Sequence, residues 1–400
     1  MPSLTADVTR KALAACGLVA FCCLCLLAAA TSALKADDLT TNAPIAYLVE
    51  PKSGSILFAK ERDRTFAPGS LTKVMTAATV FKALSDGEIS DDRLCAVSEH
   101  AWRTGGAPSR TSTMFAAIKS EIPVIDLLRG LLIHNANDAA IILAECLDGS
   151  EAAFAKRMND HARSIGMDRS RFVNPTGFEP EAGEPGSETS ARDLTLLAED
   201  ILIRHSDYYG LFSEPEFTWN RIFQRNKSPL LGEIRDLDGL GAGQSDADGY
   251  SALVSVERGG RRVIAVVAGL ESDKARLAAV RRLIEGAWTF FQVRTLYAKG
   301  ETVADARVHD GTQATVPLTP VDDVAVLLPN GETLDYRLRV VYSGPLVAPV
   351  EAGVKVGELR VLGRDGIVHR TPLITGGDVP RAELSARAID GLKELLFGWL

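Results

Sequence analysis

Residues 238–251 read DGLGAGQSDADGYS, and the way this stretch folds decides the architecture of the chain. Its glycines suit a loop around a phosphate, a plain turn, or a strand. A phosphate loop needs a lysine after its glycines and then a helix, whose free N–H groups hold the anion. Here Gln244 follows the glycines, and the next segment, YSALVSVE, is rich in valine and apolar residues. The stretch therefore reads as a strand followed by a strand. YSALVSVE and RRVIAVVAGL flank Arg258-Gly259-Gly260, so the same argument extends to a hairpin and an antiparallel sheet.

Working outward, APIAYLVE and SILFAKE flank Pro51-Lys52-Ser53-Gly54 and predict a second hairpin. Pro68 and Gly69 open SLTKVMTAATVFKAL, whose apolar residues recur at helical spacing. Residues 124–147, 151–165, 190–204 and 272–296 also read as helices. The character changes near Gly300. From there to about Thr375 the chain is short runs of Val, Thr, Leu, Gly and Pro, among them YRLRVVYSG and ELRVLGRDG, which predict a small all-β domain. In the last segment Leu384, Ala388, Leu392, Leu396 and Trp399 repeat at helical spacing among charges, the pattern of an amphipathic helix suited to a membrane surface or to docking on its own protein.

At the N-terminus Arg10 and Lys11 precede a long apolar run that ends in small residues near Thr31 and Ala33. This is the pattern of a secretory signal peptide over residues 1–33, with an uncleaved anchor as the alternative. Its removal takes away Arg10, Lys11 and Asp7, so the net charge of −8 becomes −8 − 1 = −9. With no basic stripe to offset it, that charge argues against nucleic acid as a partner. Four cysteines leave with the signal. Cys95 and Cys146 remain, either as a disulfide or as two buried thiols. The histidines show no metal-ligand spacing and the two cysteines form no cluster, so no zinc or other metal is expected.

Ser70 and Lys73 lie three apart at the start of a helix, on one face. A lysine desolvated beside a serine loses basicity and can take the hydroxyl proton, and the helix N-terminus supplies N–H groups for an oxyanion. S-x-x-K alone is a common coincidence. Its setting is not: PGSLTKVMTA (68–77), GLLIHNANDAA (130–140), NPTGF (174–178), SARDL (190–194) and DGLGAGQ (238–244) follow in order. The chain thereby closely resembles the low-molecular-mass D-alanyl-D-alanine carboxypeptidases, serine peptidases of the penicillin-binding family. The resemblance is close over residues 44–297 and looser beyond.

The resemblance implies an α/β (α+β) fold: a β-lactamase/transpeptidase-like catalytic domain (34–297) with a central antiparallel sheet flanked by helices, a small C-terminal all-β domain (298–379) and an amphipathic membrane-associating helix (380–400). It implies an exported, periplasmic protein attached peripherally to the outer face of the inner membrane. The reaction implied is removal of the terminal D-alanine from peptidoglycan stem peptides through an acyl-enzyme on Ser70, with β-lactam antibiotics as further ligands and no cofactor. Lys73 and Asn137 complete the catalytic set, and the backbone N–H groups of Ser70 and Gln244 form the oxyanion hole. DGLGAGQ takes the place of D-G-x-K-T-G, an edge strand of the catalytic sheet. Gly241 then stands for the lysine and Ala242 for the threonine that hold the substrate carboxylate, while Gly243 is kept. Asn135-Ala136-Asn137 replaces S-x-N, so its serine is absent and Asn137 remains.

Three polar groups are thus missing from one cleft. At ~1.5–3 kcal/mol for each charged hydrogen bond, an activity deficit of about 10³ is expected. Arg262 and Arg110 are the candidate substitute cations. His134, Asp193 and Asp238 read as structural, the two aspartates fixing turns and caps. The alternatives are a catalytically impaired homologue that binds cell-wall peptide or a protein partner and, against the β domain and tail, a serine β-lactamase.

Overall fold

The computed structural model describes residues 39–181, 183–330, 336–363 and 366–383. The expected signal peptide and all but the first residues of the expected tail helix lie outside them. The centre is a five-stranded antiparallel sheet of β1 (Ile45–Glu50), β2 (Ser55–Lys60), β3 (Leu237–Ser245), β4 (Gly249–Arg258) and β5 (Arg261–Leu270), in the order β2-β1-β5-β4-β3. Both expected hairpins form, and the glycine-rich stretch is the edge strand β3.

The central strands are largely apolar and buried because both faces are covered. Ile45, Tyr47, Val49, Leu253, Ile264 and Val266 enter one core, packed by α1 (Thr72–Ser85), α2 (Val124–Ile133), α3 (Asn137–Asp148), α4 (Glu151–Ser164) and α5 (Ala191–Arg204). Ala46, Leu48, Val254, Val263 and Ala265 face the other, packed by α6 (Asp273–Thr289). The period of two along each strand divides its side chains between the two layers.

Two helical expectations are corrected. The run over 124–147 is two helices, because Asn135 adopts φ +56° and breaks the ladder between α2 and α3. Asparagine tolerates this left-handed conformation better than most residues. The helix expected over 272–296 ends at Thr289, and Phe291–Tyr297 is a strand paired with Val324–Pro329. Cys95 and Cys146 are disulfide-bonded with Cα atoms 5.4 Å apart, joining the strand Leu94–Ala96 to α3. Closing a loop of 51 residues is worth about 4 kcal/mol through the unfolded chain.

The expected all-β region is built around a six-stranded sheet that includes Ala304–His309, Thr315–Pro320, Arg337–Tyr342, Lys355–Gly363 and Gly366–Thr375. It touches the β1–β2 hairpin: the Leu327 amide donates to Ser55 Oγ at 3.2 Å, and His369 contacts the Ser53 carbonyl. Among the described residues no helix is long and apolar enough to cross a membrane.

Candidate active site

Ser70 lies in a single 3₁₀ turn, Gly69–Leu71, that feeds α1. Gly69 has φ +51°, and a Cβ there would lie 2.0 Å from the Gln244 carbonyl oxygen. A glycine is therefore required, and the absent side chain brings β3 against the Ser70 turn. One turn on, Lys73 is 4% exposed. Its Nζ donates to the Thr176 carbonyl at 2.8 Å, and burial pulls its pKa down to about 7. The carbonyl is held by the NPTGF loop. Asn174 Oδ1 accepts from the Thr176 amide, the Thr176 hydroxyl and the Gly177 amide at 2.7–3.2 Å, while Nδ2 donates to the Phe178 carbonyl. Gly177, at φ +79°, presses on the same turn: its Cβ would sit 1.9 Å from the Gly69 carbonyl oxygen.

The break between α2 and α3 presents Asn137. Its amide donates to the Ser112 carbonyl at 2.7 Å and its Nδ2 to Thr111 Oγ1 at 3.0 Å. Its buried Oδ1 has no donor among the described residues. Asp138 fixes this corner, accepting from Thr113 Oγ1 and from the Met114 and Ala116 amides. Burial raises its carboxyl pKa despite those bonds. α3 packs on α1, which brings the Asn137 corner and the Ser70 turn into one region. Among the described residues no hydrogen bond joins Ser70, Lys73 and Asn137 directly; such bonds are often long before substrate binds.

Strand β3 forms the other wall. Gly243 is required by packing, since a Cβ there would lie 2.3 Å from the Pro68 carbonyl oxygen. At Gly241 a Cβ would meet Val74 Cγ2 at 3.0 Å and Leu71 Cδ2 at 3.4 Å, so a side chain fits if the valine methyl yields slightly. Ala242 is half-buried and Gln244 is exposed opposite Tyr250. A groove of about 480 Å³ opens beside the Ser70 turn, lined by Pro68, Gly69, Gly177, Phe178, Glu179 and Asp248 among others.

The structure corrects one candidate cation and adds another. Arg262 is committed elsewhere: it pairs with Asp238 at 2.8 Å and Glu257 at 2.5 Å, donates to Ser255 Oγ at 2.6 Å, and lies over the Tyr209 ring. Asp238 accordingly anchors β3 to β5 rather than fixing a turn. Asp193 ties the first turn of α5 to a separate segment, accepting from the Arg169 amide and the Ser170 hydroxyl at 2.8 Å each, while Ser190 Oγ caps the helix by accepting from the Asp193 amide at 3.1 Å. Arg110 is exposed, one residue before the Thr111 that bonds Asn137. Lys227, which sequence reading passed over, donates from Nζ to Ser112 Oγ at 3.2 Å, and its amide donates to the Ile133 carbonyl at 2.7 Å. It sits in a loop with no motif around it, so only the fold reveals its nearness to the Asn137 corner. Burial lowers its pKa, and burial followed by the Lys227 charge lowers that of His134.

Residues 30–272 match the family model described as D-alanyl-D-alanine carboxypeptidase, and residues 291–381 match that of the penicillin-binding protein 5 C-terminal domain. The chain is 30% identical to D-alanyl-D-alanine carboxypeptidase DacF of Bacillus subtilis, over 87% of this chain and 88% of the relative. It superposes on penicillin-binding protein 5 of Haemophilus influenzae with a TM-score of 0.73 and 28% identity, covering 86% of this chain and 98% of that one. It is also similar to penicillin-binding protein D2 of Listeria monocytogenes in its cefotaxime-bound form, with a TM-score of 0.56 and 30% identity over 62% of this chain and 98% of that one. A buried lysine one turn from a serine, walled by a glycine-rich edge strand, agrees with these matches: the chain belongs to the D-alanyl-D-alanine carboxypeptidase family of serine peptidases.

Proposed function

We propose that Ser70 and Lys73 carry out D-Ala-D-Ala cleavage on peptidoglycan stem peptides in this chain. The neutral Lys73 amine takes the Ser70 proton, and Oγ attacks the carbonyl of the penultimate D-alanine. The Ser70 and Gln244 N–H groups stabilise the oxyanion. The C–N bond then breaks, the proton passes to the departing D-alanine, and water hydrolyses the ester. A β-lactam enters the same sequence, its ring amide opening onto Ser70. Asn137 Oδ1 receives a substrate amide N–H. The single observation that carries this reading is Lys73: buried, held at 2.8 Å by the Thr176 carbonyl, with a pKa of about 7.

Turnover is reduced, by about 10³ if each missing polar group acts as a charged hydrogen bond. Lys227 and Arg110, beside the Asn137 corner, supply part of the carboxylate binding. Export to the periplasm is supported by the N-terminal pattern and by the Cys95–Cys146 disulfide, which needs an oxidising compartment. Residues 380–400 attach the protein to the membrane surface.

The test is intact-mass spectrometry with excess penicillin. One adduct per chain is expected, lost in Ser70→Ala. A wild type left unmodified after hours would remove the enzymatic reading and favour the second one, a cell-wall peptide binder without turnover. The observations on that side are Gly241, Ala242 and Asn135.

A further inference from the structure

Far from Ser70, the helices α1, α4 and α5 meet around three side chains that the reaction does not use. His161 of α4, Asp200 of α5 and His205, the residue after α5, are 4%, 6% and 5% exposed. His161 Nε2 lies 3.0 Å from Asp200 Oδ2, and His205 Nε2 lies 3.6 Å from the same oxygen. One atom from each residue falls within 4.8 Å of the other two. The rings stand at 84° to each other, so the two imidazoles approach the carboxylate from different directions.

The outer contacts fix how these groups present themselves. His205 Nδ1 is 3.0 Å from Ser85 Oγ, the last residue of α1. With that nitrogen as the donor, the Nε2 lone pair of His205 faces a carboxylate oxygen at 3.6 Å, too long for a hydrogen bond. Arg204 lies 3.3 Å from Asp200 Oδ1, which leaves Oδ2 as the oxygen facing the imidazoles. In that tautomer a lone pair and a carboxylate oxygen converge in a buried pocket, an arrangement that a cation between them would satisfy. Neighbouring ligands of a tetrahedral zinc ion, with bonds of about 2.0–2.1 Å, stand about 3.3 Å apart. The observed 3.0 and 3.6 Å bracket that spacing.

We propose that His161, Asp200 and His205 bind one dication of the zinc class, which clamps the ends of α1, α4 and α5. Two imidazole nitrogens and one carboxylate oxygen suit zinc, whereas magnesium and calcium prefer oxygen alone. The Ser85 contact is the outer-shell hydrogen bond that orients a ligating histidine. The role is structural: Ser85 lies twelve positions beyond Lys73, about 18 Å along α1. The proposal is independent of the reaction assigned to Ser70.

The test uses the mature protein stripped by chelator and dialysed, then given zinc chloride, cobalt chloride or magnesium chloride. One equivalent of zinc should be retained by elemental analysis. A hundredfold excess over the dissociation constant should raise Tm by roughly 5 °C or more, and magnesium should not. Cobalt should give the visible absorption of a low-coordinate site, a readout that needs no variant. His161→Gln and His205→Gln should each lose stoichiometric zinc while still reacting with penicillin at Ser70, which shows that they are folded. A wild type that retains no zinc and shows no cobalt spectrum assigns the cluster to a shared proton and overturns the proposal. So does uptake that persists in both variants.

Discussion

Acylation of Ser70 should slow about tenfold between about pH 8 and pH 6, because only the neutral Lys73 amine can accept the serine proton. With a pKa of about 7 set by burial, the neutral fraction is about 0.9 at pH 8, 0.5 at pH 7 and 0.1 at pH 6. The assay is the second-order rate constant for labelled penicillin over that range, with the drug kept in one ionisation state. A flat profile, or an inflexion near 10, would refute Lys73 as the base. The same shift has a consequence for stability. The folded pKa of about 7 lies below the ordinary 10.5, so between those values the unfolded chain binds more protons and stability rises with pH. The penalty is absent above 10.5 and fully expressed below 7. At ~1.4 kcal/mol per unit it reaches about 5 kcal/mol. Replacing Lys73 by Met removes it but leaves the Thr176 carbonyl without its donor, a loss of about 1–3 kcal/mol. Lys73→Met should therefore abolish acylation yet gain about 2–4 kcal/mol in denaturant unfolding near pH 6, an advantage that turns into a deficit of about 1–3 kcal/mol toward pH 10.5, where only the lost donor counts. A gain over the wild type that is no larger at pH 6 than at pH 10 would show that burial of this amine carries no charge penalty.

Gly241→Lys with Ala242→Thr should raise D-alanine release from a D-Ala-D-Ala peptide at least about tenfold, the low end for one charged hydrogen bond; equal release by variant and parent would mean that other cations already fill the role. Lys227→Ala with Arg110→Ala should raise KM for that peptide by about tenfold or more with kcat little changed, and an unmoved KM would clear both residues of carboxylate binding. Gly177→Ala should abolish acylation and lower Tm, since its Cβ would collide with the Gly69 carbonyl at 1.9 Å; a wild-type rate would show that the NPTGF loop can retreat from Ser70 without loss. Deleting residues 384–400, which spares the contacts of Pro380, Arg381 and Ala382 with Asp310 and Thr312, should abolish flotation with liposomes at both low and high salt and leave Tm nearly unchanged, whereas a fall of several degrees without any flotation of the full-length protein would make the tail a structural part of the fold.

The local code was legible where one short segment carries the whole signal. Alternating apolar runs around Pro51-Lys52-Ser53-Gly54 and Arg258-Gly259-Gly260 specify hairpins, and Pro68-Gly69 ahead of an apolar repeat specifies the start of α1. The family order of motifs likewise stands in the chain itself. Boundaries were less legible. Periodicity runs through 134–136 because the apolar residues stay in phase there, while the break is a single backbone conformation at Asn135. The strand Phe291–Tyr297 follows α6 with no Gly or Pro between them to mark the boundary, and it pairs with Val324–Pro329.

What tertiary structure alone decided is proximity across the chain. Cys95 and Cys146 were compatible with a bridge or with two thiols until the fold set their Cα atoms 5.4 Å apart. Arg262 was a candidate cation in the sequence and Lys227 was not, yet Arg262 is held by Asp238 and Glu257 while Lys227 lies beside Ser112. His161 has no ligand spacing to Asp200 and His205 in sequence, because two helices deliver them to one point. Lys73 was a candidate base from its spacing to Ser70, but its lowered pKa comes from burial beneath a loop a hundred residues away. Sequence fixes which groups exist and their local geometry; desolvation and pairing depend on which distant segments close over them, and these set the charge a group carries.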